Sequence, residues 1–200
     1  MRSDFVGSLS GGFMKRRAAV LVIFVCSLTL AVMPEPVRAS SHARPYDPVP
    51  AGWPRLVAIP RIHLRAAVES LALNRQADFK APYRWDDVAW YDRGPRPGDM
   101  GRANMFGHLD SLCCPAAFYL LKDLQRGDQI DVAYRDGGVL HFRVQWQGTY
   151  WNAQLPTKLM FATTRERGLV LITCTGVFHR DGTGYDHKRV VYATMVWPRR

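Results

Sequence analysis

From residue 56 onward the chain is a series of short apolar runs separated by turn-forming residues, and this spacing restricts its fold more than any other feature. Runs of about four to eight residues that are rich in β-branched and aromatic side chains are typical of β-strands. Such runs cover residues 56–60, 62–68, 85–91, 104–107, 129–134, 139–146, 169–176 and 190–196. Only residues 115–124 and 155–164 suggest short helices. The pattern predicts an all-β protein, a barrel or sandwich of at least seven strands with short helical insertions.

Composition and motifs argue against several other classes of protein. Hydrophobic residues make up 48% of the chain, which supports a packed core rather than a disordered protein. The net charge of +10 is spread along the sequence, without a dense Lys/Arg run in the globular part, so we do not expect nucleic acid as a partner. The chain contains no phosphate-binding loop, dinucleotide fingerprint or zinc motif, and we predict neither a cofactor nor a metal.

The N-terminal part resembles a targeting or anchoring segment. A basic stretch, Lys15-Arg16-Arg17, precedes residues 18–33, which carry no charge, and Val37-Arg38-Ala39 offers the small residues that a signal peptidase requires. We predict a signal peptide or membrane anchor over residues 1–39, a linker over 40–54 and the globular domain over 55–200. The domain would then lie outside the cytoplasm, either held at the cell membrane by this segment or secreted after its cleavage.

Cys174 is the strongest candidate for a catalytic residue. It follows the apolar run Val170-Leu171-Ile172, which predicts a buried strand, and we expect that strand to break at Gly176. A thiol at the end of a rigid strand is both fixed in position and accessible, as a nucleophile must be. The alternative is that Cys174 is a small buried hydrophobe, because free cysteine is among the most buried residue types.

Potential partners for this thiol come from distant parts of the chain. His108 ends another apolar run, and the basic cluster His187-Lys188-Arg189 opens the final strand. A cysteine, a histidine and a cation on separate strands form the sequence-distant arrangement expected of a thiol nucleophile. His187 is a reserve candidate for the base.

The remaining cysteines do not suggest a disulfide framework. Cys26 lies in the N-terminal apolar segment, and the neighbouring Cys113 and Cys114 cannot bridge each other without strain. Their spacing matches no zinc pattern. One hypothesis is that this pair caps Cys174 through a reversible mixed disulfide in an oxidising compartment; buried packing is the simpler interpretation.

The order of these motifs resembles the sortases, a family of membrane-anchored cysteine transpeptidases with an eight-stranded β-barrel. The resemblance rests on Gly107-His108-Leu109-Asp110-Ser111, residues 118–128, Asp136-Gly137 and Leu171-Ile172-Thr173-Cys174, and it covers residues 55–197. The approach to His108 through Pro97-Gly98-Asp99 and the Thr-Cys-x-Gly sequence are most similar to the class F or class E sortases. The resemblance therefore implies an eight-stranded sortase-type barrel.

The resemblance also implies a mechanism. Cys174 would attack a backbone carbonyl in the sorting signal of an exported protein, similar to Leu-Pro-x-Thr-Gly, and form a thioacyl-enzyme. An amine acceptor, or water by default, would resolve this intermediate. His108 would act as the general acid and base. We assign Thr173 and Asp110, which are close in sequence to the two catalytic candidates, to substrate binding; turn chemistry is an equal alternative for Asp110.

A basic residue near the last strand would stabilise the oxyanion. Adjacent strand residues face opposite sides, so only one of Lys188 and Arg189 can point at the thiol in a regular strand. We favour Arg189 over Lys188, because a guanidinium is always charged and presents a planar fork of donors.

Two other functions remain open: an L,D-transpeptidase-like thiol acyltransferase, and a non-catalytic sortase-like barrel that binds exported polypeptides.

Overall fold

The structure is a computed structural model, and it describes residues 50, 52–71 and 81–197. The predicted signal peptide or anchor (1–39) and most of the predicted linker (40–54) lie outside the described residues. Within the described part of the chain, no helix is both long enough and apolar enough to cross a membrane.

Eight strands form a closed barrel, which confirms the predicted all-β fold and the eight-stranded barrel that the resemblance implied. The strands are β1 (Pro54–Ile59), β2 (Leu64–Leu71), β3 (Val88–Tyr91), β4 (Gly101–Gly107), β5 (Gln129–Tyr134), β6 (Val139–Trp151), β7 (Arg167–His179) and β8 (Gly184–Val196). Their order around the barrel is β1-β2-β3-β4-β7-β8-β6-β5.

The helical insertions are as short as the sequence predicted. In the described ranges, three 3-10 helices (Pro60–Ile62, Tyr119–Asp123 and Asn152–Gln154) and one α-helix, α1 (Thr157–Met160), connect the strands. The turn predicted at Asp136-Gly137 joins β5 to β6, with Gly137 at a φ of 91° that favours glycine.

Strand β7 is buried on both faces, which explains its continuous apolar run. Leu169 and Leu171 pack into the barrel interior, whereas Val170 and Ile172 pack into a second cluster that includes Met160 of α1. Side chains alternate between the two faces of a strand. The next two residues therefore continue the alternation, Thr173 on the interior face and Cys174 on the outer face.

Two predicted boundaries of the last hairpin are wrong. Strand β7 does not break at Gly176 but continues to His179, and β8 begins at Gly184 rather than at the basic cluster. The reason is a β-bulge: the register shifts between Thr175 and Phe178, and Gly176 takes a φ of 88° without ending the strand. Cys174 therefore lies within a long hairpin whose far end projects beyond the barrel.

The segment after β4 is held against the barrel by backbone and core contacts. The backbone N–H of Phe118 donates to the carbonyl of His108 at 2.9 Å, and the Phe118 side chain is fully buried. A Cβ on Gly107 would lie only 2.6 Å from the Phe118 ring, so the glycine allows this close approach. His108 is thus fixed where β4 ends.

Candidate active site

Cys174 is partly exposed on the outer face of β7. The parallel partner strand β4 pairs Phe106 with Ile172, so His108 and Cys174 each follow that pair by two residues. The structure thereby places the two predicted catalytic residues at the same end of neighbouring strands. Both line an open groove of about 950 Å³.

Lys188 is the cation that the structure brings to the thiol. It lies directly opposite Cys174 in the antiparallel pair, and its Nζ donates to Cys174 Sγ at 3.2 Å. Arg189 pairs with Thr173 instead, and its guanidinium donates to Gln147 Oε1 at 2.8 Å. Because neighbouring strand residues face opposite sides, Arg189 follows the face of Val191 and Ala193, which pack into the barrel interior. The geometry does not support the preference for Arg189.

The bulge at Gly176 decides which of the two basic residues meets the thiol. At the end of the hairpin, His179 pairs with Gly184 and Phe178 with Tyr185. If that register continued without a bulge, Arg189 would lie opposite Cys174. The extra residue shifts the register by one, and Lys188 takes the position.

Asp186 holds the bulge in place. Its Oδ1 accepts from the backbone N–H of Val177 at 2.8 Å and lies 2.6 Å from His187 Nδ1, while Oδ2 lies 3.6 Å from His179 Nε2. The hydrogen bond with His187, followed by that from the Val177 backbone, lowers the pKa of Asp186. The imidazole of His187 also stacks on Trp151, with ring centroids 3.7 Å apart. His187, the reserve base, is therefore engaged in supporting the hairpin.

His108 is oriented by two contacts. Its Nε2 lies 2.9 Å from the carbonyl oxygen of Pro82, and its ring packs against the indole of Trp85 with centroids 4.3 Å apart. A carbonyl oxygen can only accept a hydrogen bond, so Nε2 carries the proton in this contact. Nδ1 is then the atom that can gain or lose a proton. Trp85 belongs to a predicted strand, but nothing in the sequence indicated that it supports His108.

Asp110 closes one side of the groove by bonding across to β8. The hydroxyl of Tyr185 donates to Asp110 Oδ2 at 2.5 Å, and this hydrogen bond raises the pKa of Tyr185 to about 12. The Asp110 carboxylate is therefore already engaged by the protein. This hydrogen bond is explained most simply if Asp110 orients Tyr185. Tyr185 was missed from the sequence because it precedes the basic cluster at which the final strand was predicted to begin.

Thr173, the second residue assigned to substrate binding, is buried beside Cys174. It is 3% exposed, and its Oγ1 has no hydrogen-bond partner among the described residues. It lines a smaller pocket of about 100 Å³ that also contacts His108, Cys174 and Lys188. Any contact between Thr173 and a ligand would be made from this pocket.

The large groove is apolar on its walls and basic at its polar positions. Trp85, Leu112 and Phe178 supply exposed apolar surface. Arg180 and Lys188 are the cations of the groove lining, and Asp110 is the lining carboxylate. The arrangement suits an extended peptide whose backbone passes Cys174.

Cys113 and Cys114 are exposed free thiols in the loop after His108. The Cys114 thiol donates a hydrogen bond that lowers the pKa of Cys113, and Ser111 adds a second, weaker contribution. Ser111 and Leu112 of this loop line the groove. The mixed-disulfide hypothesis for Cys174 remains a prediction.

Among the residues that the structure describes, no group of three or more His, Cys, Asp or Glu side chains could hold a metal ion.

Solved structures share this fold at low sequence identity. Sortase A from Corynebacterium diphtheriae, in a lid-mutant form, superposes with a TM-score of 0.57 and 19% identity over 73% of this chain and 71% of that chain. Sortase C1 from Streptococcus agalactiae gives a TM-score of 0.56 and 18% identity over 73% and 68% of the two chains. A Clostridium perfringens sortase D5 transpeptidase gives a TM-score of 0.55 and 15% identity over 73% of this chain and 79% of that chain. No curated protein matches the sequence.

A family model described as "Sortase domain" matches residues 57–196, which span β1 to β8. The match covers well over half of the chain and includes His108, Cys174 and Lys188. The similar solved structures belong to classes A, C and D, so the assignment to class F or E stays a prediction. Since the match covers nearly all of the barrel and the groove that holds the thiol, we conclude that this chain belongs to the sortase family.

Proposed function

We propose that this protein is a cysteine transpeptidase that cleaves a peptide bond in the sorting signal of exported proteins and transfers the acyl group to an amine. The observation that carries the proposal is the 3.2 Å hydrogen bond from Lys188 Nζ to Cys174 Sγ, which lies in an open groove of about 950 Å³. The sorting signal would be similar to Leu-Pro-x-Thr-Gly.

Cys174 acts as the nucleophile. The thiolate is the reactive form of cysteine, and a neighbouring ammonium stabilises negative charge on the sulfur. Attack on the scissile carbonyl forms a C–S bond and, after the amine leaves, a thioacyl-enzyme. An incoming amine or water then attacks the thioester carbonyl and releases Cys174.

His108 moves the protons. Its Nε2 is engaged with the Pro82 carbonyl, so Nδ1 protonates the departing amine and later accepts a proton from the incoming one. The Trp85 indole holds the ring in this orientation. Because these two contacts fix the imidazole, little rearrangement is needed between the two half-reactions.

Lys188 acts as the catalytic cation, in place of Arg189, which the sequence analysis favoured. Its ammonium lies next to the sulfur, where negative charge develops first on the thiolate and then on the carbonyl oxygen of the tetrahedral intermediate. Arg189 contributes to the hairpin through Gln147.

We place the enzyme outside the cytoplasm. The basic residues Lys15-Arg16-Arg17 and the uncharged residues 18–33 have the pattern of a segment that either anchors a protein in the membrane or directs its export. The substrates would then be polypeptides that pass through the same membrane.

The test is intact-protein mass spectrometry of the purified full chain, in mild detergent, with a library of Leu-Pro-x-Thr-Gly-like peptides. We expect a covalent adduct on Cys174 that is absent from Cys174→Ala and is discharged when an amine is added. Binding of the peptides without an adduct, by folded protein with reduced Cys174, would instead indicate a non-catalytic barrel. A parallel sample receives cell-wall stem peptides, and an adduct in that sample alone would indicate the L,D-transpeptidase-like activity.

A further inference from the structure

We propose that Lys188 is an internal acyl acceptor: the thioester formed on Cys174 passes its acyl group to Lys188 Nζ, which leaves a permanent amide on the enzyme. This inference rests on the proposed function, since it needs an acylated Cys174. It adds a self-modification site, and hence a self-inactivation reaction, to the transpeptidase.

The positions of the two side chains favour this transfer. Lys188 Nζ already contacts Cys174 Sγ at 3.2 Å. In the thioester, the carbonyl carbon is bonded directly to this sulfur, so it lies close to Nζ. The backbones are fixed because the next pair on the same face, Ile172 and Val190, is buried in the outer cluster. Two groups that are held about 3–3.5 Å apart react much faster than the same groups free in solution.

The chemistry depends on the presence of lysine. A guanidinium does not give up its proton in water, whereas a lysine amine becomes neutral at alkaline pH and is then nucleophilic. The neutral Nζ attacks the thioester carbonyl, the N–C bond forms, the C–S bond breaks, and the proton lost from nitrogen passes to the departing thiolate. An amide is far more stable than a thioester, so the transfer does not reverse.

Several titratable and charged groups surround Lys188. The titratable and charged groups that line the groove with it come from the end of β4 and the loop after it, from β7 and its hairpin, and from β8. They are His108, Asp110, Cys174, His179, Arg180 and Tyr185. From β6, the titratable residue Tyr150 lies opposite Lys188 in the sheet. The carboxylate of Asp110 accepts the Tyr185 hydroxyl, and Lys188 forms no ion pair with a carboxylate among the described residues.

Dissolved amines compete with Lys188 for the same thioester. With abundant acceptor, the normal reaction discharges Cys174 before the internal transfer occurs. With little acceptor, Lys188 becomes acylated and its positive charge is lost. The enzyme would therefore lose activity when it is charged with substrate and has no acceptor.

The experiment uses the full chain with two acyl donors and no added amine, at pH 7.0 and pH 9.5. One donor is the sorting-signal peptide library; the other is a benzyl thioester of a short peptide, which exchanges with a reactive thiol regardless of sorting specificity. Hydroxylamine then removes thioesters and leaves amides, and peptide mapping locates what remains. We expect a hydroxylamine-resistant adduct on Lys188, at least about tenfold greater at pH 9.5 than at pH 7.0.

Matched controls separate this transfer from general lysine acylation. Cys174→Ala and Lys188→Arg should give no resistant adduct at position 188. Arg189→Lys places an amine one residue further along, on the other face of β8, and should stay unlabelled there. The exposed residues Lys122 and Lys158 report the background in every sample.

The outcomes distinguish the two proposals. A Cys174 adduct from either donor that hydroxylamine removes completely at both pH values would overturn the internal transfer and leave the transpeptidase intact. Labelling of Cys174 by the benzyl thioester alone would count against the proposed sorting function while still deciding the fate of Lys188. Failure of both donors to label Cys174 would overturn both.

Discussion

Lys188 and Arg189 differ in more than their position. An ammonium is a compact point charge with three rotatable donors, whereas a guanidinium is a planar fork that can hold two oxygen atoms at once. Lys188 Nζ contacts Cys174 Sγ as a single point charge, so it stabilises charge without fixing the orientation of the substrate carbonyl as a fork would.

Removal of the Lys188 charge should reduce catalysis strongly. We expect Lys188→Gln to lower kcat/KM by about 100-fold, the typical cost of losing one donor to a developing oxyanion. Lys188→Arg keeps the charge and should retain more activity than the glutamine variant. Steady-state kinetics with the peptide that labels Cys174 measure both effects.

Arg189→Gln is the matched control for this prediction. Its guanidinium donates to Gln147 on the interior face, so the change should act mainly on stability. A larger loss of kcat/KM for Arg189→Gln than for Lys188→Gln, with both proteins folded, would restore Arg189 as the catalytic cation.

The sequence predicted Cys174 and His108 but could not decide between these two basic residues. The choice depends on the register of β7 against β8, and the one-residue shift at Gly176 determines that register. A bulge depends on how both strands pack, and neither strand alone reveals it. The preference for Arg189 was based on the donor geometry of its side chain, which carries no information about the register of β7 against β8.

At the scale of the hairpin, Gly176 has two separate reasons to be glycine. Its φ of 88° is a left-handed conformation that other residues rarely adopt. A Cβ there would also collide with the Asp186 carboxylate and lie 2.6 Å from His187 Nδ1. The bulge therefore depends on an unsubstituted backbone at this position.

We expect Gly176→Ala to reduce the free energy of unfolding by about 3 kcal/mol, the sum of left-handed strain and a forced displacement of Asp186. Gly182→Ala is a matched control, because Gly182 has a φ of 93° and a Cβ added there would meet nothing within 4 Å beyond its chain neighbours. That variant should lose only about 1 kcal/mol. Chemical denaturation of both variants checks the difference; equal losses would mean that the contact with Asp186 is unimportant.

Acid should release the contact that holds the bulge. The pKa of Asp186 is lowered in the folded protein, so its contribution to stability is present above the ordinary aspartate pKa of about 3.9 and is lost as the pH falls through the lower folded value. Trp151 stacks on His187 beside this carboxylate and should report the change by fluorescence. We expect a transition below about pH 4 that Asp186→Asn abolishes.

Asp181 provides the control for this titration. Its pKa is also lowered, chiefly by the hydrogen bond from the Thr183 side chain, but it lies at the end of the hairpin and supports a different turn. Asp181→Asn should leave the Trp151 transition in place. A transition that persists in Asp186→Asn and disappears in Asp181→Asn would assign the acid sensitivity to the turn instead.

Most elements could be predicted from the sequence, but the lengths of the last strands could not. The alternation of apolar residues ends where the strands leave the core, yet β6 continues to Trp151, β7 to His179 and β8 starts at Gly184. The outer part of this hairpin is stabilised by local pairs such as Phe178 with Tyr185, whose rings lie 5.1 Å apart. Such cross-strand pairs stabilise exposed strands without producing a core pattern in the sequence.

At the scale of the whole molecule, the positive charge extends into the groove. The chain carries a net charge of +10. Among the described residues that line the groove, Arg180 and Lys188 face one carboxylate, that of Asp110, which Tyr185 already engages. A peptide with an acidic residue near the hairpin should therefore approach and bind better than a basic one.

We expect a peptide with Glu at the variable position of the signal to exceed one with Lys by about fivefold in kcat/KM at low salt, the scale of one exposed ion pair. High salt should remove the difference. Arg180→Glu should reverse the preference. Arg165→Glu, which makes the same charge change at an exposed residue just before β7, should not reverse it. Equal rates for both peptides at low salt would show that the groove charge plays no part in selection.

The barrel order also has a consequence for when the enzyme becomes active. His108 follows β4, whereas Cys174 and Lys188 lie opposite each other in the β7–β8 hairpin, and β7 pairs with β4 in the closed barrel. Contacts between parts of a chain as distant as β4 and β7 form late in folding, because loop closure must precede them. The hairpin brings the ammonium to the thiol locally, but the histidine meets both only when β4 and β7 pair, so the proposed activity would require the complete barrel.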